Sequence, residues 1–144
     1  MRTLTKSLMA LSLAGIMLGA VPAGAADLTV KIGNIREAKG NILIAVYDTP
    51  ENFLRPGGMT AGMKLQAATE GVSHTFAGLE AGTYAVSVFH DVNGDGKLES
   101  NYMGVPQEPV GMSRDARGSF GPPAFTDAAF TLPQGGSVQK IDLY

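Results

Sequence analysis

Apolar residues return at every second position in most of seven short stretches of this chain, and that period of two constrains the fold more than any other feature. Leu28, Val30 and Ile32 alternate with Thr29 and Lys31. Ile42, Ile44 and Val46 share one face, with Leu43, Ala45 and Tyr47 on the reverse, the pattern of a strand covered on both sides. Met63, Leu65 and Ala67 repeat the motif, as do Val72, His74 and Phe76. Tyr84, Val86 and Val88 follow, backed by Ala85, Ser87 and Phe89; Ala128, Phe130 and Leu132 make a sixth run and Val138 to Leu143 a seventh. Successive side chains of a strand point to opposite faces, so each run can bury one face against a second sheet. Seven such strands with turn residues between them predict an all-β, antiparallel, seven-stranded sandwich. At 144 residues, with 44% apolar and 17% charged, the composition fits one small domain. A net charge of -2 offers no basic footprint for phosphate backbones, so the sequence predicts no nucleic-acid partner.

The N-terminus carries an export address. Arg2 and Lys6 precede an uncharged apolar stretch from Leu8 to Val21, and Ala23-Gly24-Ala25 supplies small residues at cleavage spacing. A spanning helix is the alternative, but the run is short for a bilayer and contains Gly15 and Gly19, with Pro22 just after it. Cleavage is expected after Ala25 or Ala26, giving a signal peptide over 1–26 and a single sandwich domain over 27–144. Removing 26 of 144 residues leaves 118, and losing two of 11 basic residues leaves nine against 13 acids, a net charge of -4. The expected location is periplasmic or secreted. With no cysteine, the chain has no acceptor for a lipid anchor, so no stable membrane attachment is expected, and no disulfide braces the fold.

One helix is predicted, with Thr49 as N-cap, Pro50 at its first position, Glu51 in its first turn, and Pro56 and Gly57 ending it. The other departure from strand patterning is longer. From Asp91 to Thr126, 36 residues read as irregular loop, and a compact domain rarely carries so much irregular backbone without a binding role.

That loop opens on Asp91-Val92-Asn93-Gly94-Asp95-Gly96-Lys97-Leu98-Glu99. Oxygen side chains at relative positions one, three, five and nine, glycine at six and the Lys97 carbonyl at seven match the way a tight loop turns alternate residues onto a hard cation. Asp91, Asn93, Asp95, Lys97 and Glu99 are therefore the candidate calcium ligands. Position twelve, where a helix–loop–helix site has its bidentate glutamate, is Tyr102, and strands rather than helices flank the loop, so any further ligand must come from elsewhere, with Asp115 and Asp127 as candidates. A plain run of turns uses the same residue types. Extracellular calcium modules bind at about 10⁻⁴ to 10⁻³ M, so the expected site is weak.

His90 invites a hydrolase reading with Asp91, Glu99 or Asp115, in a pocket roofed by Phe120 to Phe125. Adjacent strand residues point to opposite faces, which argues against a His90–Asp91 pair and for a structural, hydrogen-bonded histidine. His74 shares a face with Val72 and Phe76 and reads as a partly buried side chain. Two histidines and no cysteine leave a zinc site short of ligands, and no serine lies in a nucleophile elbow. Gly118 to Phe125 is a stiff segment, either a binding edge or a loop plugged onto the sandwich by Phe120 and Phe125. Arg114 and Arg117 flank Asp115, where they hold an anion or neutralise nearby acids.

Several of these segments together carry a resemblance. Gly82-Thr83-Tyr84, the run from His90 to Glu99, Asn101-Tyr102-Met103-Gly104-Val105-Pro106, Gly121-Pro122-Pro123-Ala124-Phe125 and Asp127-Ala128-Ala129-Phe130 resemble a bacterial family designated domain of unknown function 2141. The Leu79 to Tyr84 stretch is similar to the transthyretin-like sandwiches of secreted proteins. The resemblance implies a prealbumin-like, or more broadly Ig-like, sandwich and assigns no substrate or catalytic residue. Transthyretin-related hydrolases end in Tyr-Arg-Gly-Ser where this chain has Asp142-Leu143-Tyr144, so their chemistry does not transfer. The expectation is a secreted, non-catalytic β-sandwich that binds calcium and presents a surface to another envelope protein, a glycan or a small ligand. The alternatives are a small periplasmic hydrolase using His90 and an extracellular scaffold with an exposed edge strand or an apolar patch.

Overall fold

The computed structural model describes residues 24–144; the expected signal peptide lies outside these residues except for its last three. Eight strands form two sheets: β1 (Ala25–Gly33), β2 (Asn41–Tyr47), β3 (Ala61–Gln66), β4 (Val72–Glu80), β5 (Gly82–Asp91), β6 (Val110–Met112), β7 (Phe130–Leu132) and β8 (Ser137–Asp142). One sheet runs β4-β1-β8; the other runs β3-β2-β5-β6, with β7 also paired to β5. The inner positions read from the alternation meet between them. Leu28, Val30, Ile32, Phe76 and Ile141 from the first sheet join Ile42, Ile44, Val46, Val86, Val88 and Leu132 from the second in one core. Non-directional apolar burial thus makes two layers of strands that neither sheet could form alone.

Three expectations need correction. β8 lies parallel to β1, with Leu28 opposite Ser137 and Ile32 opposite Ile141, so the first sheet is mixed rather than antiparallel. The parallel neighbour arises because the chain leaves the second sheet after β7 and enters the first as β8. The eighth strand, β6, falls inside the stretch expected to be irregular. Its three residues, one of them glycine, are too few to show a period.

The helix expected from Thr49 is a series of turns instead: the Phe53 amide donates to Pro50, Arg55 to Asn52 and Gly58 to Arg55. Leu54 has φ 58°, a left-handed conformation that breaks any helix through it. The α-helix formed is α1 (Phe125–Ala128), a single turn in which the Asp127 carboxylate accepts the Ala124 amide at 3.0 Å. No helix among the described residues is long and apolar enough to cross a membrane.

The turns after Thr49 and α1 converge on the outer face of the second sheet. Tyr47 and Ala85 are buried there under Phe53, Leu54, Phe125 and Ala128. Phe53 packs edge-on against both Tyr47 and Phe125, with ring centroids 5.4 and 5.7 Å away. This second cover accounts for the two-sided apolar pattern of β2. Phe125 plugs the segment as expected; Phe120 does not, and stands fully in solvent.

Ser113 fastens this cover to the sheet. Along one edge of β5, β7 pairs with residues 82–84 and β6 with 87–89, which leaves Val86 between them. The Val86 amide donates to Ser113 Oγ at 2.9 Å, and that hydroxyl donates to the Ala128 carbonyl at 2.6 Å. On the far edge, Val110 and Tyr144 exchange backbone hydrogen bonds and so tie β6 to the residues that follow β8. At the β4–β5 turn the Tyr84 hydroxyl donates to the Glu80 carbonyl four residues upstream at 2.9 Å, the kind of tyrosine corner that stiffens sandwich turns.

Candidate functional site

β5 ends in His90 and Asp91, each about 1% exposed, and the strand period sends their side chains to opposite faces. The Asp91 carboxylate turns into the loop that follows. Its Oδ1 accepts the amides of Gly94 at 2.8 Å and Asp95 at 3.1 Å, and its Oδ2 accepts the amide of Gly96 at 2.8 Å. Gly94 and Gly96 have φ of 78° and 77°, which lets consecutive N–H groups face one carboxylate. Further along, Asn93 Oδ1 accepts the Asp95 amide and Asp95 Oδ1 accepts the Lys97 amide, while the Asn93 side-chain amide donates to Glu99 at 2.8 Å.

A second buried carboxylate, which sequence reasoning missed, closes the loop from its far end. Glu108 Oε1 accepts the Val92 amide at 3.1 Å and Oε2 accepts the Glu99 amide at 3.3 Å. Nothing around it in sequence marks it: it stands between Gln107 and Pro109 at the end of a run of uncharged residues. Between these roots the chain folds back on itself. The Gln107 amide donates to the Glu99 carbonyl, Ser100 bridges to Pro106, and Asn101 Oδ1 accepts the amides of Met103 and Val105. The product is a narrow hairpin that carries Leu98, Tyr102, Met103 and Val105 outward.

A family model described as an uncharacterized protein conserved in bacteria, DUF2141, matches residues 30–141, from within β1 to the penultimate residue of β8. The chain belongs to the DUF2141 family. No curated protein and no solved structure matches it.

In this DUF2141 domain the hairpin roots are seated on the turn between β1 and β2. A Cβ at Gly40 would lie 2.0 Å from the Asp91 carbonyl oxygen and 2.8 Å from Val92 Cα, and its φ is 70°, so only glycine lets the two segments approach this closely. One residue earlier, the Lys39 carbonyl lies 2.6 Å from His90 Nε2. A carbonyl oxygen only accepts, so Nε2 carries the proton and His90 links β5 to this turn, the structural role expected for it. Its ring also lines an open cavity of about 400 Å³ bounded by Arg36, Glu37, Lys39, Val92, Asn93, Glu99, Gln107, Glu108 and Pro109. No hydrogen bond joins His90 to Asp91, Glu99 or Glu108, whose carboxylates are taken up by loop donors. His74 is half-buried and packs edge-on against Phe76, as the alternation implied.

The five residues expected to hold calcium all lie on this loop. Asp91 is buried at its base and bonded to three amides, whereas Asn93, Asp95, Lys97 and Glu99 are exposed. Among the described residues no group of three or more His, Asp or Glu side chains is gathered as an ion would need. Neither proposed outside ligand points to the loop: Asp115 is bonded to Arg117 at 3.1 Å, and Asp127 caps α1. Arg117 also stacks over the Tyr144 ring at 3.9 Å, and Arg114 donates to the Ala129 carbonyl, so both arginines are occupied within the fold.

Proposed function

We propose that this DUF2141 domain is an exported, non-catalytic, prealbumin-like sandwich that works as a binding module, and that the hairpin rooted on Asp91 and Glu108 is its working surface. The observation that carries this reading is the bracing: five loop amides end on two buried carboxylates, while the residues at the tip face solvent. Loops mounted on a rigid scaffold are where binding residues concentrate. A non-catalytic role is favoured over the hydrolase because His90 is bonded to a carbonyl and no carboxylate orients it.

Calcium belongs to the same proposal. Asp91, Asn93, Asp95, the Lys97 carbonyl and Glu99 would hold the ion, and its charge would offset the clustered carboxylates. At tenfold excess over Kd the ion would add about 1.4 kcal/mol, a rise in Tm of roughly 5 °C for a domain of this size. Thermal unfolding in millimolar calcium against chelator tests it: no shift, or an equal shift in Asp95→Ala, rejects the metal. Replacing Ser100 to Gln107 with an Asn-Gly turn tests the hairpin as a surface device. Cooperative unfolding should survive that replacement, and its loss would make the hairpin a structural element instead. Export is checked by the N-terminal residue of protein recovered from the periplasm or the medium, expected to be Ala26 or Asp27.

A further inference from the structure

We propose that the tip of the hairpin, from Asn101 to Pro106, inserts reversibly into the surface of a zwitterionic phospholipid bilayer; the inference rests on the hairpin being the working surface. Three independent features of the tip point to an apolar medium rather than to water. Tyr102 is 97% exposed, Met103 71% and Val105 51%, so most of the tip's apolar surface is unpaired. From Ser100 to Gln107 no residue carries a charge, although the chain as a whole is 17% charged. The flanking acids turn away, Glu99 to the Asn93 side chain and Glu108 to two backbone amides.

The third feature is the backbone. Entry into hydrocarbon is costly for any N–H left without an acceptor. At this tip Asn101 takes up three donors: its side-chain oxygen accepts the Met103 and Val105 amides at 2.9 and 3.0 Å, and its carbonyl accepts the Gly104 amide at 2.9 Å. The Asn101 amide in turn donates to the Val105 carbonyl. With four of its amides bonded inside the turn, and that of Tyr102 left for water or a headgroup, the tip enters the headgroup–acyl boundary at a reduced desolvation cost.

The shape and charge select the occupant. The tip is convex, and a bilayer surface needs no matching pocket to receive it. The arms from Ser100 to Tyr102 and from Gly104 to Pro106 each span two residue steps, at most about 7 Å at roughly 3.3 Å per residue, within the depth of interfacial insertion. Around the base Glu37, Asp95 and Glu99 match Arg36, Lys39 and Lys97 in number, and the buried Asp91 and Glu108 carboxylates leave the region net negative, which disfavours an anionic surface and leaves a zwitterionic one. A single small tip gives weak, reversible attachment rather than anchoring.

The chain has no tryptophan, so Tyr102→Trp installs a lone reporter at a position with no partner to lose. With phosphatidylcholine vesicles its emission should move to the blue and the protein should sediment with them. Phosphatidylglycerol vesicles at low salt should give a smaller effect. Met103→Asp should cut the bound fraction about tenfold while leaving the melting curve unchanged. Absence of any emission shift or sedimentation in well-folded Tyr102→Trp overturns the proposal. So does a blue shift that depends on protein concentration without lipid and coincides with a dimer on sizing; the tip then meets a second copy, and the hairpin remains the working surface. Rapid hydrogen exchange at the Met103, Gly104 and Val105 amides in free protein would overturn both readings, because the hairpin would not be held.

Discussion

Glu108 reaches back across the root of the hairpin to accept the Val92 amide at 3.1 Å, so a carboxylate sixteen residues downstream completes the strand end that Asp91 begins. With its other oxygen on the Glu99 amide, one buried side chain fixes both the departure and the return of the loop. Asp91 winds the first turns and Glu108 closes them. The hairpin is consequently a built element rather than a slack connection.

Glu108→Ala should therefore cost about 1–3 kcal/mol, since two part-buried amides lose a charged acceptor. Urea unfolding gives the total, and hydrogen exchange localises it: protection at Val92 and Glu99 should fall while that of Val30 and Ile44 in the core falls only by the global loss. Equal loss throughout would mean that the carboxylate braces the whole sandwich and not the hairpin.

Gly40→Ala should destabilise by about 3 kcal/mol or more. The added methyl meets backbone atoms of Asp91 and Val92, which cannot rotate aside, and the left-handed backbone adds about 1–2 kcal/mol of its own. Gly57→Ala is the comparison, because its φ is similarly positive and nothing lies within 4 Å of the added carbon. If both variants melt alike, the close approach at Gly40 contributes nothing beyond its dihedral angle.

Ser113→Ala should cost about 2 kcal/mol by stranding the buried Val86 amide and removing the donor to Ala128. The same change should loosen α1 from the sheet, seen as faster proteolysis between Gly118 and Ala129. Ser113→Thr, which keeps the hydroxyl, should retain the bonding but crowd a fully buried site. A Ser113→Ala protein as stable as the parent would show that water replaces the hydroxyl.

Tyr47 and Tyr84 should make stability fall at alkaline pH. Burial pushes both phenols above their ordinary value of 10, and at Tyr84 the negative charges of Asp48 and Glu80 add to the effect. The folded state holds these protons more tightly than the unfolded chain does. Their contribution is complete below about pH 10 and is lost as pH rises through the folded values, at up to about 1.4 kcal/mol per pH unit for each tyrosine. Spectrophotometric titration should show two late phenolate steps coinciding with unfolding, and Tyr84→Phe should remove one of them. Titration of every tyrosine at ordinary pH in the folded protein would contradict this.

Whatever depends on neighbours two or three positions away is legible in the order of the residues. The alternation of Leu28, Val30 and Ile32, or of Tyr84, Val86 and Val88, is a local pattern that fixes both strand and buried face, and the opposition of His90 and Asp91 follows from the same pleat. The turns from Asp91 to Glu99 were legible for the same reason, since Asn, Asp and Gly bond their own backbone nearby. Tertiary structure alone decided that Glu108 closes the loop, that Ser113 fills the gap beside Val86, that Gly40 admits Asp91, and that β8 lies parallel to β1. Each of these is a contact between segments distant in the chain. Which backbone group meets which side chain there is chosen by how two sheets close over a shared core, and a period of two carries no record of that choice.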